Sequence, residues 1–361
     1  MEELLHISPS SLEISNEWRA KKGIRGHVIY GRNKVEALLA KWHPLNNLYV
    51  GLPNNTEFNL AIDVKELKEQ IYLSYVRRNK LSIVALAFAT TVIAGIGWFR
   101  EEAAKVYLAL ALASLVCFMA LDYFIGAHSP DTLFERSRFY LRVRQTGRLD
   151  CIFWSGFMAV IGIIQIYVQS QLGGIEEVLT HYGVLYQALG NGEWWRLFIG
   201  PFFHVNTLHW LTNLASLLFI VGLAGIISRR LSVFTFLISS AMGAYIGWHL
   251  SSYTHQDAYA GVSGGIFGIF GMCASFSLYH PNDFPNKIGI ILTAFSSINI
   301  FISAVVVSNS SIEGHVAGLL VGFVFGTIYA RFAKFRTPPA QSSPAPAPTR
   351  SAHAPAADSP H

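Results

Sequence analysis

The sequence predicts an all-α protein that crosses a membrane many times, and two observations lead to that fold class. Charged residues make up only 14% of the 361 residues and hydrophobic residues 52%, whereas a typical soluble domain has about 25% charged residues. Several apolar runs also approach the roughly 20 residues that a helix needs to cross a bilayer. The mean hydropathy of +0.37 agrees with this class. The composition excludes a disordered chain, a collagen-like chain and a small disulfide-rich scaffold.

The N-terminal residues 1–80 are mixed and polar, and they predict a small cytosolic α+β domain. His27–Gly31 and Leu48–Leu52 are short runs of β-forming residues, and Ile62–Val76 has apolar residues at helical spacing. This region contains no motif with a chemical mechanism, so we expect an accessory or interaction domain.

Eight apolar runs predict the membrane-spanning helices. The first two are separated only by 100–105, so they predict a transmembrane hairpin over 81–127, which the basic cytosolic linker 128–150 follows. The eight runs are, in chain order, Leu81–Phe99, Val106–Ala127, Ile152–Leu172, Val205–Ile227, Leu231–Leu250, Ala258–Tyr279, Ile288–Val307 and Gly314–Ala330.

Basic residues accumulate in every second loop between these runs, which predicts the orientation of the protein. Because Lys and Arg are retained on the cytoplasmic side, both termini are expected in the cytoplasm. The net charge of +5 is therefore interpreted as a topology signal, and we expect no nucleic-acid partner. The tail 335–361 is rich in Pro, Ala and Ser and is predicted to be disordered. The long loop 173–203 is predicted to lie partly in the membrane, because it is apolar and rich in aromatic residues.

Three polar clusters occur at the non-cytoplasmic ends of the fourth, sixth and eighth predicted helices. His209 and Asn213 are four positions apart, so they share a helix face, and both side chains can donate hydrogen bonds. Ser263 lies in a glycine-rich helix start, and His315 opens the last helix. Taken singly, each cluster also fits a structural role, such as hydrogen bonding or close packing between helices.

Taken together, the three clusters indicate nucleophilic catalysis. Glycines leave part of the surface of two predicted helices without side chains: Gly264 and Gly268 in the sixth, Gly318 and Gly322 in the eighth. The two helices could therefore pack closely and bring His315 beside the serine. A serine nucleophile, a histidine base and side-chain donors are the groups that acyl transfer requires. Glu313 lies only two positions from the histidine and points elsewhere on the helix, so we predict a dyad.

Four stretches of the chain resemble the rhomboid family of intramembrane serine proteases. They occur in the family's order over about residues 150–332, and they are Gly192-Glu-Trp-Trp-Arg196, the pattern His204…His209…Asn213, Gly261-Val-Ser263-Gly264, and Gly314-His315 followed by Gly318 and Gly322. The resemblance implies a six-helix protease domain over 151–334. The preceding hairpin would be an addition to the family's plan.

The resemblance also implies a role for each matching residue. Ser263 would be the nucleophile and His315 the general base. His209, Asn213 and the backbone N–H of Ser263 would form the oxyanion hole. The residues that would support the site are His204, Arg196, Phe267, Gly261, Gly264 and Gly318. Among these, Arg196 would hold the long loop, His204 would lie beside the site, and Phe267 would replace a Tyr that relatives often carry next to the catalytic histidine.

The implied function is that of a serine endopeptidase that cleaves transmembrane helices near their non-cytoplasmic ends. Its partners would be the lipid bilayer and single-span or polytopic membrane-protein substrates. We expect no cofactor and no metal, since the three cysteines are scattered. The expected location is a bacterial inner (plasma) membrane, as a multi-pass integral protein.

Two other functions fit parts of the sequence. A catalytically silent rhomboid-like protein that binds membrane clients would need the same bundle, but the presence of both Ser263 and His315 argues against it. A transporter would use polar helices as a pathway, but the sequence has no convincing internal repeat and no carboxylate inside the six core helices.

Overall fold

The structure is a computed structural model that describes residues 18–23, 26–43, 48–51, 58–99, 103–254, 256–306 and 311–333. The predicted tail 335–361 lies outside these residues, as do Leu52 and Val307 at the ends of two predicted elements.

The N-terminal region is an antiparallel four-stranded sheet with one helix, which confirms the small α+β region. The helix α1 (Arg32–Ala40) follows the second strand. The order in the sheet is β2-β1-β3-β4, and Ala20 pairs with both Ile29 and Val50 in register. The strands are β1 (Arg19–Lys22), β2 (Ile29–Tyr30), β3 (Leu48–Gly51) and β4 (Asn59–Leu60).

The core of this sheet region also includes two helices that follow it, α2 (Lys68–Phe99) and α4 (Pro130–Thr146). The fully buried Trp42 ring makes edge contacts with Tyr75 of α2 at 6.3 Å and with Phe134 of α4 at 6.2 Å. The segment 128–150, expected to be a linker, is therefore mostly a helix that packs on the sheet region. Ser129 begins that helix with a capping box.

The predicted hairpin consists of α2 and α3 (Ala103–Leu121), which ends in a π-helical turn, Asp122–Gly126. α3 packs against α11 (Ile288–Val306), where the Ser114 hydroxyl donates to the Asn299 side-chain oxygen. A Phe118 ring contacts both Phe219, at 4.8 Å, and Phe295, at 5.7 Å. The hairpin is thus joined to the remaining helices by aromatic packing.

The remaining long helices are α5 (Arg148–Leu172), α9 (Thr207–Thr254), α10 (Ser263–Tyr279) and α12 (Ile312–Phe332). The backbone of α9 is extended at Ser228 (φ −173°, ψ 117°), so α9 has a first arm, 207–227, and a second arm, 229–254. Among the described residues, six helices are long and apolar enough to span a membrane, counting α9 once, and the apolar α10 is shorter. With the two arms separated, these are the eight predicted segments.

Central α10 packs against α12, both arms of α9 and α11. The first arm of α9 runs parallel to α10 and the second arm runs antiparallel to it, so the chain reverses direction at Ser228. The contacts that define these directions are Asn213–Gly261 and Phe219–Phe270 for the first arm, and Ser239–Gly264 and Thr235–Met272 for the second.

Large apolar side chains cover the outside of these helices. On α5, Ile163, Ile166 and Tyr167 are each about two-thirds exposed. A helical face of this kind is stable where it contacts lipid, whereas in water it would favour aggregation. The chain is therefore a multi-pass integral membrane protein.

Candidate active site

Two helix starts bring a serine and a histidine together. Ser263 opens α10 and His315 lies in the first turn of α12, and both are buried. The Ser263 Oγ and the His315 Nε2 are 2.8 Å apart, a hydrogen-bonding distance. The ring of Phe267, one turn further along α10, lies 4.8 Å from the His315 ring at an angle of 41°. Ser263 therefore has a base within reach, as a serine nucleophile requires.

Glycine contacts explain why the two starts meet. A Cβ on Gly318 would lie 2.1 Å from the carbonyl oxygen of Gly264, and a Cβ on Gly322 would lie 1.8 Å from that of Gly268. Both glycine pairs shift by four residues in the same direction, so α10 and α12 run parallel. The first turns of the two helices therefore lie at the same end of the bundle. The predicted glycine packing and the resulting approach of His315 to Ser263 are both found in the structure.

His209 and Asn213 lie on the first arm of α9, against the loop that precedes Ser263. A Cβ on Gly261 would be 2.5 Å from the His209 Cε1 and 3.4 Å from the Asn213 Nδ2. Gly261 also has φ +97°, a conformation that favours glycine. In the part of the chain that the structure describes, the buried His209 Nδ1 and Asn213 Nδ2 have no hydrogen-bond partner. Leaving buried donors unpaired is costly, so their free capacity fits a role toward a bound group.

His204 lies fully buried beside His209, with the two rings 5.3 Å apart. Its backbone is clamped by Gln165 of α5: the Gln165 amide donates to the His204 carbonyl at 2.8 Å, and the His204 N–H donates to the Gln165 side-chain oxygen at 3.0 Å. The two bonds fix the chain just before the first arm of α9 begins.

Arg196 organises the long loop between α5 and α9. This loop contains α6 (Ile175–Tyr182), β5 (Val184–Leu185), α7 (Tyr186–Gly190) and α8 (Arg196–Ile199). The buried guanidinium donates to the carbonyl of Gly183 at 2.8 Å and pairs with the Glu193 carboxylate at 2.8 Å. The positive charge of Arg196 is therefore paired inside the loop. Its hydrogen bond also fixes Gly183, the residue directly before β5.

A short sheet joins the long loop to the loop that precedes Ser263. The strand β6 (Ala258–Tyr259) pairs antiparallel with β5, with Val184 opposite Tyr259. Two residues further on, the Gly261 N–H donates to the Phe203 carbonyl at 2.8 Å. The Tyr259 hydroxyl in turn accepts a hydrogen bond from the Gly264 N–H at 3.1 Å.

The side chain of Glu313 is hydrogen-bonded to a residue other than His315. Its carboxylate accepts a hydrogen bond from the Ser311 hydroxyl at 2.7 Å. Among the residues described, the His315 Nδ1 has no hydrogen-bond partner. Within the described part of the chain, no carboxylate is therefore hydrogen-bonded to this nitrogen of His315.

Comparison with known proteins places this site in a family. The Rhomboid domain model matches residues 191–332. A putative rhomboid protease of Bacillus subtilis, YdcA, is 32% identical over 155 residues, which cover 41% of this chain and 72% of the relative. The chain belongs to the rhomboid family. The rhomboid protease GlpG of Haemophilus influenzae is 27% identical over 175 residues, which cover 47% of this chain and 88% of that protein.

The family match has two consequences for this rhomboid-family chain. The relatives are named as proteases, which supports protease activity here. The matched range, 191–332, also includes Arg196, the two helix starts and the first arm of α9, whereas the sheet region and the α2–α3 hairpin precede it.

Two residues at the site, Tyr259 and Gln165, were not predicted from the sequence. Both are polar residues next to or within apolar runs, which is a weak signal because such residues are common in membrane bundles. Their importance depends on contacts between segments far apart in the chain, and spacing in one sequence does not reveal such contacts.

Proposed function

We propose that this rhomboid-family chain is an intramembrane serine endopeptidase that uses Ser263 as nucleophile and His315 as general base. The observation that carries the proposal is the 2.8 Å hydrogen bond between the Ser263 Oγ and the His315 Nε2 in a buried site. A serine hydroxyl is a weak nucleophile by itself, and an adjacent base is the usual means of activating it.

The proposed reaction proceeds by acyl transfer. The Ser263 Oγ attacks the carbonyl carbon of the substrate while the His315 Nε2 accepts its proton. The resulting oxyanion accepts hydrogen bonds from His209, Asn213 and the backbone N–H of Ser263. Ser263 lies at the start of α10, where the helix dipole also favours negative charge. The imidazolium then protonates the leaving amine and the C–N bond breaks. A water, deprotonated by the same histidine, hydrolyses the acyl-enzyme and restores the serine.

We propose that the substrates are single-span or polytopic membrane proteins. A peptide bond inside a helix has its carbonyl oxygen hydrogen-bonded and its carbon shielded, so the helix must unwind locally before the serine can attack. The loop before Ser263 and the long loop provide irregular backbone at one end of the bundle, and such backbone is tolerated at membrane depth where it lines a polar cavity. Water for deacylation would reach the site from this end.

Basic residues at the opposite end of the bundle support an orientation for the site. Arg229 at the break in α9, Lys287 before α11 and Arg331 at the end of α12 all lie at the end away from Ser263. Because basic residues favour the cytoplasmic side, we propose that the site opens to the non-cytoplasmic side of a bacterial inner membrane, with both termini in the cytoplasm.

The division of the chain into five segments stays a prediction. The segments are 1–80, 81–127, 128–150, 151–334 and 335–361.

The test uses the full chain in detergent with a single-span reporter substrate and a fluorophosphonate probe. Wild type should cleave the reporter and become labelled, and Ser263→Ala should do neither. Ser277→Ala is the matched control, because it removes another buried hydroxyl of α10, one that donates to the Cys273 carbonyl within the same helix. Labelling of Ser263→Ala at the wild-type rate would disprove the assignment of Ser263 as the nucleophile. A folded wild type that binds membrane clients and is not labelled would favour the catalytically silent alternative.

A further inference from the structure

Tyr259 lies between the two helix starts that carry Ser263 and His315. A Cβ on Gly264 would lie 2.7 Å from the Tyr259 hydroxyl oxygen, and a Cβ on Gly314 would lie 2.6 Å from the Tyr259 Cε2. Gly264 directly follows the serine and Gly314 directly precedes the histidine. The tyrosine ring is 2% exposed and therefore fills the space between the first turns of α10 and α12.

The hydroxyl of this tyrosine is joined to α10 as well as packed against it. It accepts a hydrogen bond from the Gly264 N–H at 3.1 Å. The N–H groups in the first turn of a helix have no partner within the helix. A fixed acceptor there orients the turn from which the Ser263 hydroxyl projects.

The backbone of Tyr259 is held by the long loop. Its strand, β6, pairs with β5, so Val184 lies opposite it. The Gly183 carbonyl, one residue before that strand, accepts the hydrogen bond from the buried Arg196. Arg196, β5, β6 and Tyr259 therefore form a continuous set of contacts from the long loop to the serine.

We propose that Tyr259 is a positioning residue that fixes the distance and angle between Ser263 and His315, with its ring as a spacer and its hydroxyl as an anchor for the first turn of α10. This inference rests on the proposed serine protease function. Because nucleophile and base react only in a narrow range of geometries, a small displacement of α10 relative to α12 slows the acylation step. Substrate binding changes little, since the tyrosine is buried behind the helix starts.

The test compares Tyr259→Phe, which keeps the ring and removes the hydroxyl, with Tyr259→Leu, which removes both. The matched control is Tyr140→Phe, which removes a partly buried tyrosine hydroxyl that donates to Asp122 at 2.9 Å at the far end of the bundle. The readouts are kcat, KM, the rate of fluorophosphonate labelling and the temperature of thermal unfolding.

We expect Tyr259→Phe to lower kcat and the labelling rate about 10-fold and Tyr259→Leu to lower them about 100-fold, with KM unchanged in both. Tyr140→Phe should lower the unfolding temperature similarly and leave kcat at the wild-type value. A Tyr259→Phe protein with wild-type kcat would overturn the inference, as would an equal loss of kcat in Tyr140→Phe. Failure of the wild type itself to be labelled would instead count against the proposed function.

Discussion

Gly322 of α12 lies so close to Gly268 of α10 that a Cβ on Gly322 would be 1.8 Å from the Gly268 carbonyl oxygen. This is backbone contact between two helices, and it leaves no room for a side chain. Two turns before it, His315 hydrogen-bonds with Ser263. The spacing of the candidate catalytic pair therefore depends on glycines well inside the bundle.

We predict that Gly322→Ala pushes α12 away from α10. The methyl group has no space, and overpacking of this kind typically costs about 1–3 kcal/mol. The expected results are a lower unfolding temperature and slower labelling of Ser263 by a fluorophosphonate. Gly156→Ala in α5 is the matched control, because a Cβ there meets no atom within 4 Å. Equal behaviour of the two variants would show that the contact is not needed.

The candidate oxyanion donors should matter less than the nucleophile and the base. Asn213→Ala removes one donor, and loss of one such donor typically lowers kcat by about 10²–10³. Turnover of a reporter substrate should therefore stay measurable in this variant, while Ser263→Ala and His315→Ala should show none. Identical residual rates in all three variants would contradict the assigned roles. Initial rates at saturating reporter provide the measurement.

Arg136 should be essential for stability and not for chemistry. It is 1% exposed and pairs with the carboxylate of Asp122, so Arg136→Met leaves that carboxylate buried without its cation. Breaking a buried pair in this way costs about 3–5 kcal/mol. Arg138→Met is the matched control, because Arg138 pairs with Asp63 at the surface, where such pairs contribute about 0–1 kcal/mol.

Thermal unfolding should therefore separate these two arginine variants, and the double variant Asp122→Asn with Arg136→Met should recover part of the loss. All of these proteins should be labelled by the fluorophosphonate at the wild-type rate while they are folded. A slower rate in folded Arg136→Met would mean that this distant pair influences the active site.

The α2–α3 hairpin and the sheet region should be dispensable for catalysis. Deleting residues 1–148 removes them, whereas the proposed catalytic and oxyanion residues all lie after residue 206. The truncated protein loses the contact of Phe118 with Phe219 and Phe295, and detergent can cover the exposed rings. Reporter cleavage in detergent should persist. A truncated protein that is folded and is not labelled would show that the hairpin shapes the active site.

The sequence predicts the bundle well because membrane spans and glycine faces are local patterns. The eight apolar runs correspond to observed helical segments, and the i, i+4 glycines of α10 and α12 do meet. The boundaries of some helices differ by a few residues for a physical reason. The apolar pattern includes Ala258 and Tyr259 in the sixth helix, but they form β6, because their backbone groups pair with β5.

The non-local features were not predictable from one sequence. The pairing of β5 with β6 joins residues more than seventy positions apart, and each strand has two residues, too few to give a periodic signal. Likewise, the sequence of α4 predicts only a basic linker, because its arginines indicate charge and no packing role. The structure places Phe134 of α4 in the core of the sheet region and buries Arg136, so this basic segment has a packing role.

Arg136 also donates to the carbonyl of Asn286, a residue that the ribosome adds 150 positions later. Domains generally fold as they emerge during synthesis, so the sheet region, α4 and Asp122 are available long before this acceptor. The acceptor becomes available only after α10, with Ser263, has been synthesised. This one contact of the N-terminal region can therefore form only late in synthesis, and a nascent chain halted before residue 286 would have this hydrogen bond unmade.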